Sequence, residues 1–167
     1  MAFLPRGFEA PELVERPEFR VRPITLHDVV RDYDAVMTNR AFLWDRFGAV
    51  WGWPAADLTL EQDLVDLAWH QKEATLRRAF NYAVLTPSES ALLGCVYLDP
   101  PEKTGADVDV SFWIRPDATG PGVGSPVTEA SFEVFVRGWL DDAWPWDVVR
   151  YPGLDLSWAD WEALPDV

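Results

Sequence analysis

The sequence is short of cysteine, of positive charge and of long hydrophobic runs, and each shortage closes off a class of protein. Cys95 is the single cysteine among 167 residues, which excludes an intramolecular disulfide and any multi-cysteine zinc site. Histidine is nearly as scarce: His27 and His70 lie far apart with no His-x-x-x-His spacing, so no metal is expected. Lysine and arginine total 14 against 28 aspartates and glutamates, a net charge of −14. Those cations are scattered and form no basic stripe, which argues against a nucleic-acid partner. No stretch approaches the roughly 20 apolar residues of a spanning helix. Pro5 and Gly7 interrupt the amino terminus where a signal peptide keeps a continuous apolar core. The expectation is a soluble cytoplasmic protein with no membrane partner.

What the chain does contain is ordinary for a globular fold, with one exception. Hydrophobic residues make up 49% and charged residues 25%, so the acidity reflects sign imbalance and not a disorder-type composition. The length fits a single domain over 1–167, with 1–18 as an extended arm and 152–167 as an acidic, tryptophan-bearing tail. The exception is ten tryptophans, far above ordinary usage.

Periodicity organises the rest. Phe19 to Pro23 alternates as a short strand, and Thr25 with Asp28 caps a helix carrying Leu26, Val29, Val30, Tyr33 and Met37 at helical spacing. From Thr38 to Leu58 the period fails, and the segment reads as a long loop that still holds Phe42, Trp44, Phe47, Trp51 and Trp53. Thr59 and Gln62 then mark a second helix, ending near Arg78. Phe80 to Thr86, Leu92 to Leu98 and Asp107 to Arg115 read as three neighbouring strands. Gly120, Gly122 and Gly124 follow, with Ser125 as cap and Pro126 at the first position of a helix that stops before Pro145. A strand over Trp146 to Tyr151 precedes the tail. The order predicts an α/β fold with a mixed sheet flanked by helices.

A glycine loop between a strand and a helix N-terminus is an anion site when its amides are free, because glycine lets the backbone approach and the dipole favours negative charge. The candidate donors are the amides of Gly120, Gly122, Val123, Gly124 and Ser125. A plain turn and cap is the competing use of the same residues. Arg115 is the only cation between Lys103 and Arg137. Cys95, in an apolar strand with no evident base, reads as packing.

In this element order the chain resembles the GNAT superfamily of acyl-CoA-dependent N-acyltransferases. Ala106-Asp-Val-Asp-Val-Ser-Phe-Trp-Ile-Arg-Pro116 looks like that family's fourth strand, the glycine loop and following helix stand in place of its cofactor motif, and Leu93-Gly-Cys-Val-Tyr-Leu98 looks like its third strand. Two departures are visible. Gly122 and Gly124 match the family's loop, but Thr119 replaces its leading Gln or Arg, and only Leu154 to Val167 remain where a further helix and two closing strands are usual, so the fold is expected to be abbreviated after the strand that follows the cofactor helix.

The resemblance implies acetyl-CoA or another acyl-CoA as co-substrate, held by Ile114, Arg115 and the loop amides, and a small-molecule or peptide amine as acceptor. It implies Asp109 as the base, with Tyr151 as a weaker proton donor to the departing thiolate. It places Trp44, Trp51, Trp53, Trp69, His70 and Asp107 around the acceptor. As a bare pattern Asp107 and Asp109 are equally the solvated face of a strand. A non-catalytic module that binds CoA or a protein partner is the alternative function. The tail is expected to close a pocket, to meet a second copy in a homodimer, or to cover the sheet.

Overall fold

A computed structural model describes residues 3–167. Six strands lie in chain order across one sheet: β1 (Val14–Glu15), β2 (Arg20–Pro23), β3 (Phe80–Leu85), β4 (Leu92–Asp99), β5 (Val108–Ile114) and β6 (Val149–Arg150). Each neighbouring pair is antiparallel except the last, which is parallel. The helices are α1 (Val29–Thr38), α2 (Arg40–Trp51), α3 (Leu60–Thr75), α4 (Glu129–Ala143) and α5 (Trp158–Glu162).

The period of two along each strand divides the core between two faces. Tyr82, Val84, Val96 and Phe112 pack with Phe132, Val136 and Leu140 of α4, while Ala83, Leu85, Cys95, Tyr97 and Trp113 pack with Ala35, Leu43, Phe47 and Leu67 of the first three helices. Both faces are covered, so β3 and β5 are buried along their whole length. β4 and β5 come so close at Gly94 that a Cβ there would lie 1.8 Å from the Trp113 carbonyl oxygen, a contact only glycine permits.

The predicted fold class holds, and several boundaries need correction. The segment from Thr38 to Leu58 is not a loop: α2 occupies Arg40–Trp51, following α1 after Asn39 alone. Its apolar residues surround the helix, with Leu43 and Phe47 buried while Trp44 and Trp51 stay exposed, so no amphipathic period marks it. Gly52, at φ 62°, closes it in the left-handed region. The helix expected from Pro126 starts at Glu129, because Thr128 is the residue whose hydroxyl accepts the Ser131 amide. α3 ends at Thr75, short of Arg78, and β6 is confined to two residues of the expected Trp146 to Tyr151.

The tail covers its own sheet edge. Trp161 Nε1 donates to Asp109 Oδ2 at 3.1 Å, Trp158 Nε1 donates to the Arg46 carbonyl at 3.1 Å, and the Trp158 ring meets Trp51 edge-on at 6.1 Å. These indoles pair within the chain.

Candidate functional site

A chamber of about 260 Å³ opens between α3 and the sheet. The register brings Asn81 of β3 opposite Tyr97 of β4, and Asp99, two residues on, shares Tyr97's face. On α3, Asp63, Asp66 and His70 recur at i, i+3 and i+7, so one helix face carries polar groups into the cavity. Asp32 of α1 enters from beside them. Trp51, Trp53 and Trp69 supply the apolar wall, with Trp51 stacked on Phe47 at 4.3 Å and held in place by it.

Burial dominates the chemistry of these groups. Asp32 and Asp63 are 4% and 2% exposed. Burial, reinforced by the neighbouring Asp63 charge, drives the Asp32 carboxyl well above the ordinary range. Burial pushes Asp63 up to about 6, with the hydrogen bond to Asp32 opposing it. Two carboxyls this close share a proton, because both cannot ionise in a dry site. Asp99 is pushed up to about 7, first by burial, then by the charges of Asp109 and Glu102. Burial lowers His70, keeping it neutral. The Cys95 thiol, raised by burial, points its Sγ at Asp32 Oδ1 at 3.7 Å and serves the core. Tyr97 Oη accepts from Trp113 Nε1 at 3.1 Å.

Two polar atoms at the chamber have no partner among the described residues: Asp63 Oδ2 and Asn81 Oδ1. A second groove of about 440 Å³ shares Trp51, Trp69 and Asp99 with the chamber and continues past Glu102 to Asp109, Ser111 and Trp161.

The structure brings Trp51, Trp53, Trp69 and His70 together around one chamber and leaves Trp44 and Asp107 elsewhere. Trp44 lies over Gly48 with Arg40 above its ring at 5.3 Å. Asp107 Oδ2 accepts the amides of Asp147 and Val148 at 3.0 and 2.8 Å, fastening the start of β6. Asp109 is no free base. Arg150 donates to both its oxygens at 2.5 and 3.0 Å, and Trp161 Nε1 donates to Oδ2 as well, so both oxygens are already engaged by donors of the chain itself. Tyr151 is 5% exposed, its phenol pushed up to about 12 chiefly by burial, with Arg137 stacked 4.2 Å over the ring. Sequence reasoning missed Asp32, Asp63, Asp66, Asn81, Tyr97 and Asp99. The legible signal was the α3 spacing, in which carboxylates fall on the helix face that also buries Leu67.

The glycine loop spends its amides on itself. Gly120 donates to Asp117 O, Val123 and Gly124 to Gly120 O, and Ser125 to Ala118 O. Pro121 and Pro126 have no amide hydrogen to offer, and Gly122 alone of the five candidates makes no such bond among the described residues. Arg115 is 4% exposed and engaged by Asp117 at 2.6 Å and Asp34 at 3.1 Å. A cavity of about 270 Å³, lined in part by Ile114 and Thr119, lies alongside with Glu129 at its edge.

Beyond Asp109 the edge of β5 is also covered. Arg46 donates to the Phe112 carbonyl at 3.2 Å and to Glu129 at 2.8 and 2.5 Å. With Trp158 beside the pair, the cavity between β5 and the Pro152–Leu154 turn is about 20 Å³. Among the described residues no cluster of three or more His, Cys, Asp or Glu is placed to hold a metal ion, and no helix is long and apolar enough to cross a membrane.

Comparison with known proteins gives a consistent picture. The family described as acetyltransferase (GNAT) domain matches residues 18–151. The ribosomal-protein-S5-alanine acetyltransferase from Vibrio fischeri is 19% identical over 78% of this chain and 68% of its own, with a TM-score of 0.56. The microcin C7 self-immunity acetyltransferase MccE, solved with acetyl-CoA and AMP, is 13% identical over 77% and 67%, with a TM-score of 0.54. The ribosomal L7/L12 alpha-N-protein acetyltransferase RimL is 17% identical over 81% and 70%, with a TM-score of 0.51. A search of curated proteins by sequence returns no match. At these identities the structural likeness establishes the fold.

Proposed function

The chain belongs to the GNAT acetyltransferase family, and on that premise we propose that it handles an amine, which enters the acid-and-tryptophan chamber as the acceptor of acyl transfer. The observation that carries this reading is the chamber itself: four aspartates and three indoles around one cavity, with no cation among its lining residues. Such a wall attracts an ammonium ion through charge and through the faces of the rings.

An ammonium must lose a proton before its nitrogen can attack. Asp99, pushed to about 7, is suited to accept it, since a base works best when its pKa lies near the operating pH. Asp109, across the β4–β5 register from Asp99, contributes its charge to that shift.

Relatives in the family use acetyl-CoA, which is the donor expected here. The residues present do not fit that donor as they are arranged: four of the five loop amides are bonded within the loop, Glu129 puts a carboxylate at the edge of the cavity beside it, and Arg46 donates to the Phe112 carbonyl. A protein that binds an amine without transferring to it is accordingly the second reading, favoured by this closed cleft. Thiol release from acetyl-CoA, measured over a panel of aliphatic amines, separates the two. Amine-dependent release supports transfer, binding of the amines by calorimetry without release supports the second reading, and neither binding nor release would overturn both.

A further inference from the structure

We infer that the chamber and the groove beside it form one site for an aliphatic diamine carrying two ammonium groups, one seated at Asp63 and Asn81, the other at Asp99, with the methylene stem against Trp51 and Trp69. This rests on the reading that the chamber takes an amine, and adds the class of amine.

The first end is identified by what is missing. Buried acceptors in native proteins are paired, and an unpaired one marks a donor that belongs there. Asn81 Oδ1 belongs to a residue 4% exposed that lines the cavity, and it has no partner among the described residues; Asp63, 2% exposed on the same cavity, has only its hydrogen bond with Asp32. An ammonium supplies three N–H donors and accepts nothing, which suits a wall of carboxylate and amide oxygens that includes the unpaired Asn81 Oδ1.

The second end follows from continuity. The chamber and the groove share Trp51, Trp69 and Asp99, so a ligand too long for one extends into the other past Asp99. In the groove Arg78 is held by Glu73 and Arg150 by Asp109, while Asp99 and Glu102 have no ion-pair partner among the described residues. A second positive charge is wanted there. Between the two ends the indoles offer flat apolar surface for methylenes and π-faces for the flanking charges. Lys72 Nζ already sits 3.7 Å from the Trp69 ring centroid, so that ring's environment accepts an ammonium. The same chemistry rejects two look-alikes. A terminal carboxylate would face Asp99 and Glu102, and a quaternary ammonium has no N–H for Asp63 or Asn81.

The test is calorimetric titration of the full chain, without acyl-CoA, using ligands of one length: hexamethylenediamine, hexylamine, aminocaproate and hexamethonium. Hexamethylenediamine should bind at least about tenfold more tightly than each of the others. Asp99→Asn should bring the diamine's affinity down to that of hexylamine, and Asp63→Asn should weaken both; if Asp63→Asn does not fold, Asn81→Ser takes its place. Equal affinity for hexylamine and the diamine, or for hexamethonium and the diamine, would overturn the two-ended site. If none of the four binds while another amine is acylated, the diamine is refuted and acyl transfer stands; if the diamine binds and no transfer occurs, the reverse holds.

Discussion

Replacing Asp99 by asparagine should make the protein more stable above neutral pH and flatten its loss of stability with rising pH. In the folded chain Asp99 keeps its proton up to about pH 7, whereas an unfolded carboxyl releases it near the ordinary value of 3.8. Between those limits the folded state binds more protons than the unfolded one, so stability falls as pH rises and the full cost is present above about pH 7. Three pH units at roughly 1.4 kcal/mol each amount to about 4 kcal/mol, of which about 2.5 kcal/mol is traversed between pH 5 and pH 8. Asp99 keeps one partly open side in the groove, and solvent there reduces the expected difference to about 1 to 2 kcal/mol. Asp63, raised to about 6, adds a fall of the same sign in parent and variant alike. Asp28, Glu89 and Asp117, all lowered with arginine partners contributing, act in the opposite sense at more acid pH and also cancel in the comparison. The assay is urea unfolding followed by tryptophan fluorescence at about pH 5 and about pH 8. If parent and Asp99→Asn lose the same free energy between these two values, Asp99 titrates as an ordinary surface carboxylate and its assignment as base is wrong.

Two further outcomes are expected. Gly94→Ala must push β4 and β5 apart at the Trp113 carbonyl, 1.8 Å from the new Cβ, and should cost at least about 3 kcal/mol, the upper end of ordinary overpacking, as a lowered urea midpoint. The double substitution Arg46→Met and Glu129→Gln removes both halves of an ion pair at once, frees the Phe112 carbonyl and deletes a carboxylate from the first turn of α4. It should create or strengthen a thermal shift with millimolar CoA, by about 2.7 kcal/mol at 100 times the dissociation constant; tight CoA binding by the unaltered chain would show that the pair does not close the cleft.

The strands were readable because each satisfies a local rule. Phe80–Leu85 and Leu92–Asp99 are apolar runs bounded by turn residues, and Val108–Ile114 alternates in a way that its two-faced burial then uses completely. α2 was not readable, because Phe42, Trp44, Phe47 and Trp51 are distributed around the helix and the second core supplies the stability that amphipathic patterning would otherwise signal. The aromatic half of the chamber was visible as an excess of tryptophan. The acidic half was not, since Asp32, Asp63 and Asp99 come from three elements and resemble surface carboxylates one at a time. Asp109 shows the complementary case: the residue in the position where the resemblance implied a base is ion-paired with Arg150, forty-one residues later in the chain, a contact no local pattern announces.

By itself the sequence determined the fold class, the strands β2 to β6, the helices α1, α3 and α4, the family and the charge, because these depend on periodicity, turn chemistry and composition, which are local or additive properties. Tertiary structure decided which carboxylates matter. Only folding brings Asp32 against Asp63 and carries both out of water, and it is desolvation and proximity, not residue type, that raise their pKa values and leave acceptors waiting for a donor. Tertiary structure also decided the use of the glycine loop, since its amides can bind an anion or their own carbonyls, and the path of the chain through Pro121 and Pro126 commits four of the five to the latter.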